Sequence, residues 1–284
     1  MKVAYLLPGF VRSLEYFNEI KRFLKFNSNH QIDLYSNTYD VLGAPHKEPA
    51  NKSGYKNSMR IDREFLESFV PFKSINIENY EEVDHEISEF SEKYSHFIKK
   101  SSQWSSRKTV KMGCLENEKT TMRSYYGQVR NVYKSFSLIE GIEDYDLIIK
   151  SRFDAWISKL DLNLYGSVLE KNRIFGYDYH YSPILDNGKC LPLMGDLVVF
   201  GDLSSMRSWC NIDRERLIQI YSDENLSSKD WETKHYGSDV KLNMEAIFCY
   251  NHFILNDGKV HAKINEDHLP NKGFLPRKKY PEKK

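Results

Sequence analysis

Hydrophobic and polar positions follow two rhythms along this chain. Near the start, "KVAYLL" is an unbroken apolar run, which predicts a buried strand over Val3–Leu7 that ends at Pro8-Gly9. Leu14, Phe17, Ile20 and Leu24 then recur at helical spacing behind Ser13, a good N-cap residue. "QIDLYS" predicts a second strand, Ile32–Ser36. Strand, helix and strand in this short a span form a βαβ unit, and hence a parallel sheet. Ligands of such sheets bind beyond the carboxyl ends of the strands, so the loops Pro8–Arg12 and Asn37–Asp40 stand out.

The rhythm returns at Thr121. Met122, Tyr125, Val129, Val132, Phe136 and Ile139 approach a 3.6-residue repeat, with Thr121 as a cap and Gly141 as a stop. A strand at Asp146–Lys150 follows at once, which makes a second crossover. "RIFGYDY" and "DLVVFGD" read as further strands, "LSSMRSWCNIDRERLIQIY" and "VKLNMEAIFCYNHFILN" as helices. Residues 43–120 are less regular. "GAPHKEPANKSGYKNS" reads as a polar loop or flap, a helix fits Tyr80–Lys99, and "SSQWSSRKTVKMGCLENEKTT" has no period. The tail "PRKKYPEKK" is basic and expected to be disordered. No internal repeat is present. The whole predicts one α/β domain with a mostly parallel central sheet flanked by helices. Its core is 1–42 with 121–206, its insertion or flap is 43–120, and its C-terminal helical side and tail are 207–284.

Composition narrows the class. With 284 residues the chain can bury a substantial core, and 41 basic against 40 acidic residues favour neither nucleic acid nor an anionic membrane as partner. Cys114, Cys190, Cys210 and Cys249 show no zinc spacing and read as free thiols of a reducing compartment. "VAYLLPGF" is too short and too broken for a signal peptide, and no run has the length of a membrane span, so a cytoplasmic location is expected. The patterns G-x4-G-K-[ST], H-R-D and G-x-G-x-x-G are absent, which sets aside P-loop enzymes, protein kinases and dinucleotide oxidoreductases.

The densest chemistry lies in "YDLIIKSRFDAWIS", where an apolar strand stops at Ser151-Arg152-Phe153-Asp154. Residues i and i+2 of a strand share a side, so Arg152 and Asp154 face one pocket. A carboxylate there can hold a divalent cation, and a guanidinium can hold phosphate oxygens. Together they suit a nucleotide diphosphate; a plain Arg–Asp ion pair is the competing reading.

The segments "AYLLPGFVRSLEYF", "QIDLYSNTYD", "SYYGQVRNVYKSFSLIEGIEDYDLIIKSRFDAWIS" and "MGDLVVFGDLSSMRSW" follow one another in a telling order. In that succession the chain resembles small GT-A-type glycosyltransferases of bacterial polysaccharide clusters (WavE-like) and of large algal DNA viruses. The resemblance implies a GT-A-like fold, a nucleotide-sugar donor, by default a UDP-sugar, a glycan acceptor and a divalent metal, Mn²⁺ or Mg²⁺. It places Gly9 and Arg12 against the nucleotide, Thr38, Tyr39 and Asp40 near base or ribose, and Gln128 on the central helix. Arg152 and Asp154 fall at the diphosphate, with Asp154 as the metal ligand. Arg152 stands where the usual Asp-x-Asp metal motif has its first acid, which leaves metal dependence open. Asp196 would be the general base for the acceptor hydroxyl or would bind the sugar, with Glu245 a rival base, and Tyr177, Asp178, Tyr179 and His180 would line the sugar pocket. Each has a plainer reading: a turn residue for Asp196 and for 38–40, a surface residue for Arg12, an exposed helix acid for Glu245. The alternative for the whole chain is a catalytically inactive nucleotide- or glycan-binding protein on the same fold.

Overall fold

In the computed structural model the apolar run at the start is β1 (Lys2–Leu6), and four of its five residues are buried. The structure describes residues 1–12, 14–43, 59–98, 118–153, 155, 157–166, 173–176, 179–181, 193–194, 197–222, 244–256 and 259–263. After β1 come α1 (Tyr16–Phe26), β2 (Gln31–Tyr39), α2 (Arg63–Glu67), β3 (Phe72–Glu78), α3 (Tyr80–Tyr94) and α4 (Glu118–Ser137). The second half holds β4 (Leu147–Ser151), α5 (Leu162–Gly166), β5 (Arg173–Gly176), β6 (Tyr179–Tyr181), β7 (Leu193–Met194) and β8 (Val198–Gly201). It closes with α6 (Leu203–Cys210), α7 (Arg214–Ser222), α8 (Met244–Cys249) and β9 (Lys259–Lys263).

Seven strands form one sheet in the order β3-β2-β1-β4-β8-β5-β9, and β6 and β7 form a separate antiparallel pair. Pairing is parallel except where β8 meets β4 and β5, so β8 alone runs against the other six. The α/β class and the mostly parallel sheet are as expected. β1 and β4 are buried along their length because helices cover both faces. Ala4, Leu6, Tyr35 and Ile148 face one way, against Val129, Val132 and Phe136 of α4 and Trp209 of α6. Val3, Tyr5, Leu7 and Ile149 face the other, against Phe17, Ile20 and Phe23 of α1. No helix among the described residues is long and apolar enough to cross a membrane.

Several elements differ from their predicted form. β2 runs three residues past its expected end and takes in Asn37, Thr38 and Tyr39, because it pairs with β3 as far as Tyr39↔Glu78. Within the stretch expected as insertion or flap, β3 is the edge strand of the main sheet and α3 packs on α4. Asn79 caps α3 by accepting from the N–H groups of Glu81 and Glu82. The helix expected over 203–221 is two, broken at Asn211–Asp213, where Asp213 accepts from the Arg216 N–H at 2.7 Å and restarts the chain as α7. α8 passes into a π-helical turn, Tyr250–Ile254. Gly141 does not stop α4, which ends at Ser137; it takes a left-handed φ of 60° and opens the short turn before β4. Ser13, the expected cap of α1, and the basic tail lie outside the described residues.

Candidate functional site

The sheet order fixes where a ligand belongs. From β1 the chain builds outward through β2 to β3, then returns to place β4 on the other side of β1. α1 covers one face and α4 the opposite one. The carboxyl ends of β1 and β4 therefore flank a topological switch point, the crevice at which open α/β sheets bind ligands. Leu6 pairs with Lys150, so the chain leaves β1 toward Gly9 and Arg12 beside the place where it leaves β4 toward Arg152.

On the β1 side, the Gly9 N–H donates to the Asn37 carbonyl at 2.9 Å, and Gly9 takes a φ of 95° that L side chains adopt with strain. Phe10 packs on Tyr39, with ring centroids 4.3 Å apart, and on Tyr80. Arg12 is half-buried. Val11 is tied to the chain beyond β2, where the Gly43 N–H reaches its carbonyl at 2.8 Å.

The end of β2 is more enclosed than a ligand-reading loop. Thr38 is wholly buried and Tyr39 is 1% exposed, with burial pushing its phenol up to about 12. The Asp40 carboxylate accepts from the Tyr80 N–H at 2.9 Å, at the start of α3, and pairs with Arg60. Thr38 and Tyr39 thus belong to the packed interior, and the half-buried Asp40 belongs to the joint between β2 and α3, where its carboxylate is engaged by Tyr80 and Arg60. The Tyr39 hydroxyl instead serves a polar core beneath α4, where it accepts from Asn131 at 2.6 Å.

α4 supplies that core. Arg130, 6% exposed, donates to Glu78 at 2.7 and 2.9 Å and to Glu86 at 2.7 to 3.0 Å. Lys134 reaches Glu78 at 2.6 Å. Burial alone would raise the Glu78 carboxyl, but the bonds from Arg130, Lys134 and Asn37 outweigh it and hold it at about 2. Asn131 donates to the Tyr39 hydroxyl at 2.6 Å and accepts from Asn37 at 3.0 Å. Gln128 lies one turn earlier on the same helical face, half-buried. α4 leads into β4 and so runs against the parallel strands, which places Gln128 on the carboxyl-edge side of Asn131.

On the β4 side, Ser151 is fully buried and its hydroxyl meets the Tyr5 hydroxyl at 2.7 Å. The half-buried Arg152 donates its N–H to the Leu197 carbonyl at 3.0 Å, and its own carbonyl accepts from Ala155 at 3.1 Å. Because β8 is antiparallel, its start at Val198 pairs with Ser151 at the same edge. Lys150, 2% exposed, faces the opposite layer toward Cys210, whose thiol burial pushes up to about 12 against the opposing pull of that lysine.

The structure therefore brings Gly9, Arg12, Gln128 and Arg152 to one edge. Asp154, Asp196, Tyr177 and Asp178 lie outside the described residues, as do the side chains of Tyr179, His180 and Glu245. Their chain neighbours are nonetheless placed: Phe153 packs on Phe17 of α1, and Gly176 ends β5, which is parallel to β4 through β8. Among the described residues no three His, Cys, Asp or Glu side chains gather to hold a metal ion, and Asp40 is engaged by Arg60. The described donors thus do not by themselves fit a divalent cation. Asn131 and Arg130 were missed in the sequence, although the 128–131–135 spacing along α4 marks one face and was legible there.

No protein-family model matches the chain, and no curated protein sequence matches it. Among solved structures it is similar to the apo crystal structure of mouse xyloside xylosyltransferase 1, with a TM-score of 0.38 and 8% identity over 92% of this chain and 84% of that one. A likeness at that level fixes neither family nor activity.

Proposed function

We propose that the protein is a GT-A-type glycosyltransferase, moving a sugar from a nucleotide diphosphate sugar, a UDP-sugar by default, to a hydroxyl of a glycan acceptor. The observation that supports this best is the topological switch point between β1 and β4. The two loops that carry Gly9, Arg12, Arg152 and Asp154 leave adjacent strands there, where an α/β sheet takes a nucleotide.

In the transfer, the bond from the anomeric carbon to the diphosphate oxygen breaks and its electron pair leaves with the diphosphate. The acceptor oxygen bonds the anomeric carbon, and its proton passes to a carboxylate, Asp196 or its rival Glu245. The demand on the protein is to stabilise negative charge growing on the diphosphate, and Arg152 and Arg12 would supply cations for it. Asp154 is the residue at which we place a divalent cation, Mn²⁺ or Mg²⁺; when bound, that ion would neutralise phosphate charge.

A nucleotide-release assay with UDP-, GDP- and dTDP-sugars, with and without Mn²⁺, tests the reading. Loss of one preorganised charge stabiliser costs on the order of 10²–10³ in rate, so Asp154→Ala and Arg152→Ala should each lose that much activity while staying folded. Wild-type turnover by a folded Asp154→Ala variant would contradict its assignment. Nucleotide binding without any turnover would favour the inactive binding protein.

A further inference from the structure

We propose that Asn131 is a positioning residue of the nucleotide site, clamping the Gly9 turn and the end of β2 to α4 so that the loop to Arg12 is held in its binding shape. The inference rests on the glycosyltransferase reading and assigns this site a residue that contacts no substrate itself.

Asn131 is 5% exposed, and both ends of its carboxamide are used. Nδ2 donates to the Tyr39 hydroxyl at 2.6 Å, and Oδ1 accepts from Asn37 Nδ2 at 3.0 Å. Gly9 faces the same group: a Cβ built on Gly9 would come within 3.9 Å of Asn131 Nδ2, and no other atom would lie within 4 Å outside its chain neighbours. The Gly9 N–H in turn holds the Asn37 carbonyl at 2.9 Å. Asn37 is fixed from every side, by the Ser135 hydroxyl on its N–H at 2.8 Å, by Asn76 at 2.6 Å and by Glu78 at 2.8 Å.

The Gly9 turn is thus one wall of a polar unit that spans β1, β2, β3 and α4, with Asn37 at its hub and Asn131 joining that hub and Tyr39 to α4. A buried unit of this kind has one satisfied geometry, because each unmade bond leaves a desolvated group. Such a device suits a loop that must be ready before its ligand arrives, since preorganisation lowers the cost of binding. An apolar side chain at 131 could fill the space but could not set the turn.

The test measures Kd for nucleoside diphosphates by calorimetry, well below the unfolding midpoint of each variant. The proteins are wild type, Asn131→Ala, Gly9→Ala, the double variant and Tyr39→Phe. Asn131→Ala is expected to raise Kd about tenfold, equal to about 1.4 kcal/mol. Gly9→Ala should do likewise, and the double variant should fall well short of the product of the two, since both act through one turn. Tyr39→Phe, which deletes only the 2.6 Å bond, should raise Kd several-fold. A purely structural Asn131 would lower the unfolding midpoint and leave Kd unchanged; that result overturns the inference. If Asn131→Ala does not fold, Tyr39→Phe decides: a wild-type Kd there overturns the inference as well. If wild type binds no nucleoside diphosphate, the glycosyltransferase reading falls and the inference falls with it. If wild type binds and the variants match it, the inference alone falls.

Discussion

Gly9 shows how a single residue serves both fold and site. Its φ of 95° suits glycine, and its missing Cβ leaves ordinary contact space above Asn131. Alanine there would be strained by its dihedral and not by crowding. Gly9→Ala should therefore lower stability by on the order of 1–3 kcal/mol, read from the denaturant midpoint; an unchanged midpoint would show that the turn relaxes freely. Cys210 and Cys249 are fully buried thiols, and burial keeps the Cys210 thiol protonated. Neither should react with a thiol reagent in the folded protein, while both should do so in denaturant; peptide mapping after alkylation reads this directly. At this scale the sequence was most legible for where Gly9, Arg12 and Arg152 fall, just past the ends of β1 and β4, since they stand at punctuation marks in the hydrophobic pattern. It was least legible for Thr38 and Tyr39. Polar and aromatic residues at the end of a strand look the same from the sequence whether they meet a ligand or a packed interior; for Tyr39 the partner is Asn131, far away in the chain, and Thr38 is simply enclosed.

Among the elements, β1, β4 and α4 followed from periodicity alone, because burial on both sheet faces writes continuous apolar runs and a helix with one dry face writes a 3.6-residue repeat. The end of β2 and all of β3 did not. Ser36, Asn37 and Thr38 are polar yet completely buried, and Ser36 and Asn37 belong here only because Leu7, Ser135, Asn131, Asn76 and Glu78 satisfy them. Such tertiary hydrogen bonds leave no local signature. The ion network between α3, β3 and α4 makes a pH prediction. The Glu78 carboxyl lies at about 2 in the folded protein against an ordinary 4.5, so its bonds stabilise fully above the ordinary value. That contribution is lost as pH falls from there toward the folded value. Glu86 is lowered too, with burial opposing and Arg130 and Tyr126 bonds prevailing, and adds in the same direction. Acid unfolding followed by circular dichroism should lose on the order of 2 kcal/mol between those limits, and Glu78→Gln should flatten that part of the curve. Arg130→Met removes the cation that Glu78 and Glu86 share but leaves Glu78 its Lys134 and Asn37 bonds and Glu86 its Tyr126 bond, so it should cost on the order of 1–3 kcal/mol. A much smaller loss would mean that the carboxylates find water instead.

At the scale of the molecule, a mostly parallel sheet with β8 reversed gathers the ends of β1, β4 and β5 and the start of β8 along one edge. This gives the protein one rim on which widely separated segments of sequence can act together. That rim was foreseeable from the two crossovers, whereas the place of β3 at the sheet's far edge was not, since 43–120 carries little apolar pattern. The measurement that tests the central claim most directly is a thermal-shift series on wild-type protein with UDP-, GDP- and dTDP-sugars, each with and without Mn²⁺. A nucleotide diphosphate sugar held at this edge at about 100 times its Kd adds roughly 2.7 kcal/mol. The account predicts that at least one such ligand raises the midpoint by about 5 °C and that Arg152→Ala abolishes the rise. No shift with any of these nucleotides, with or without metal, would contradict it.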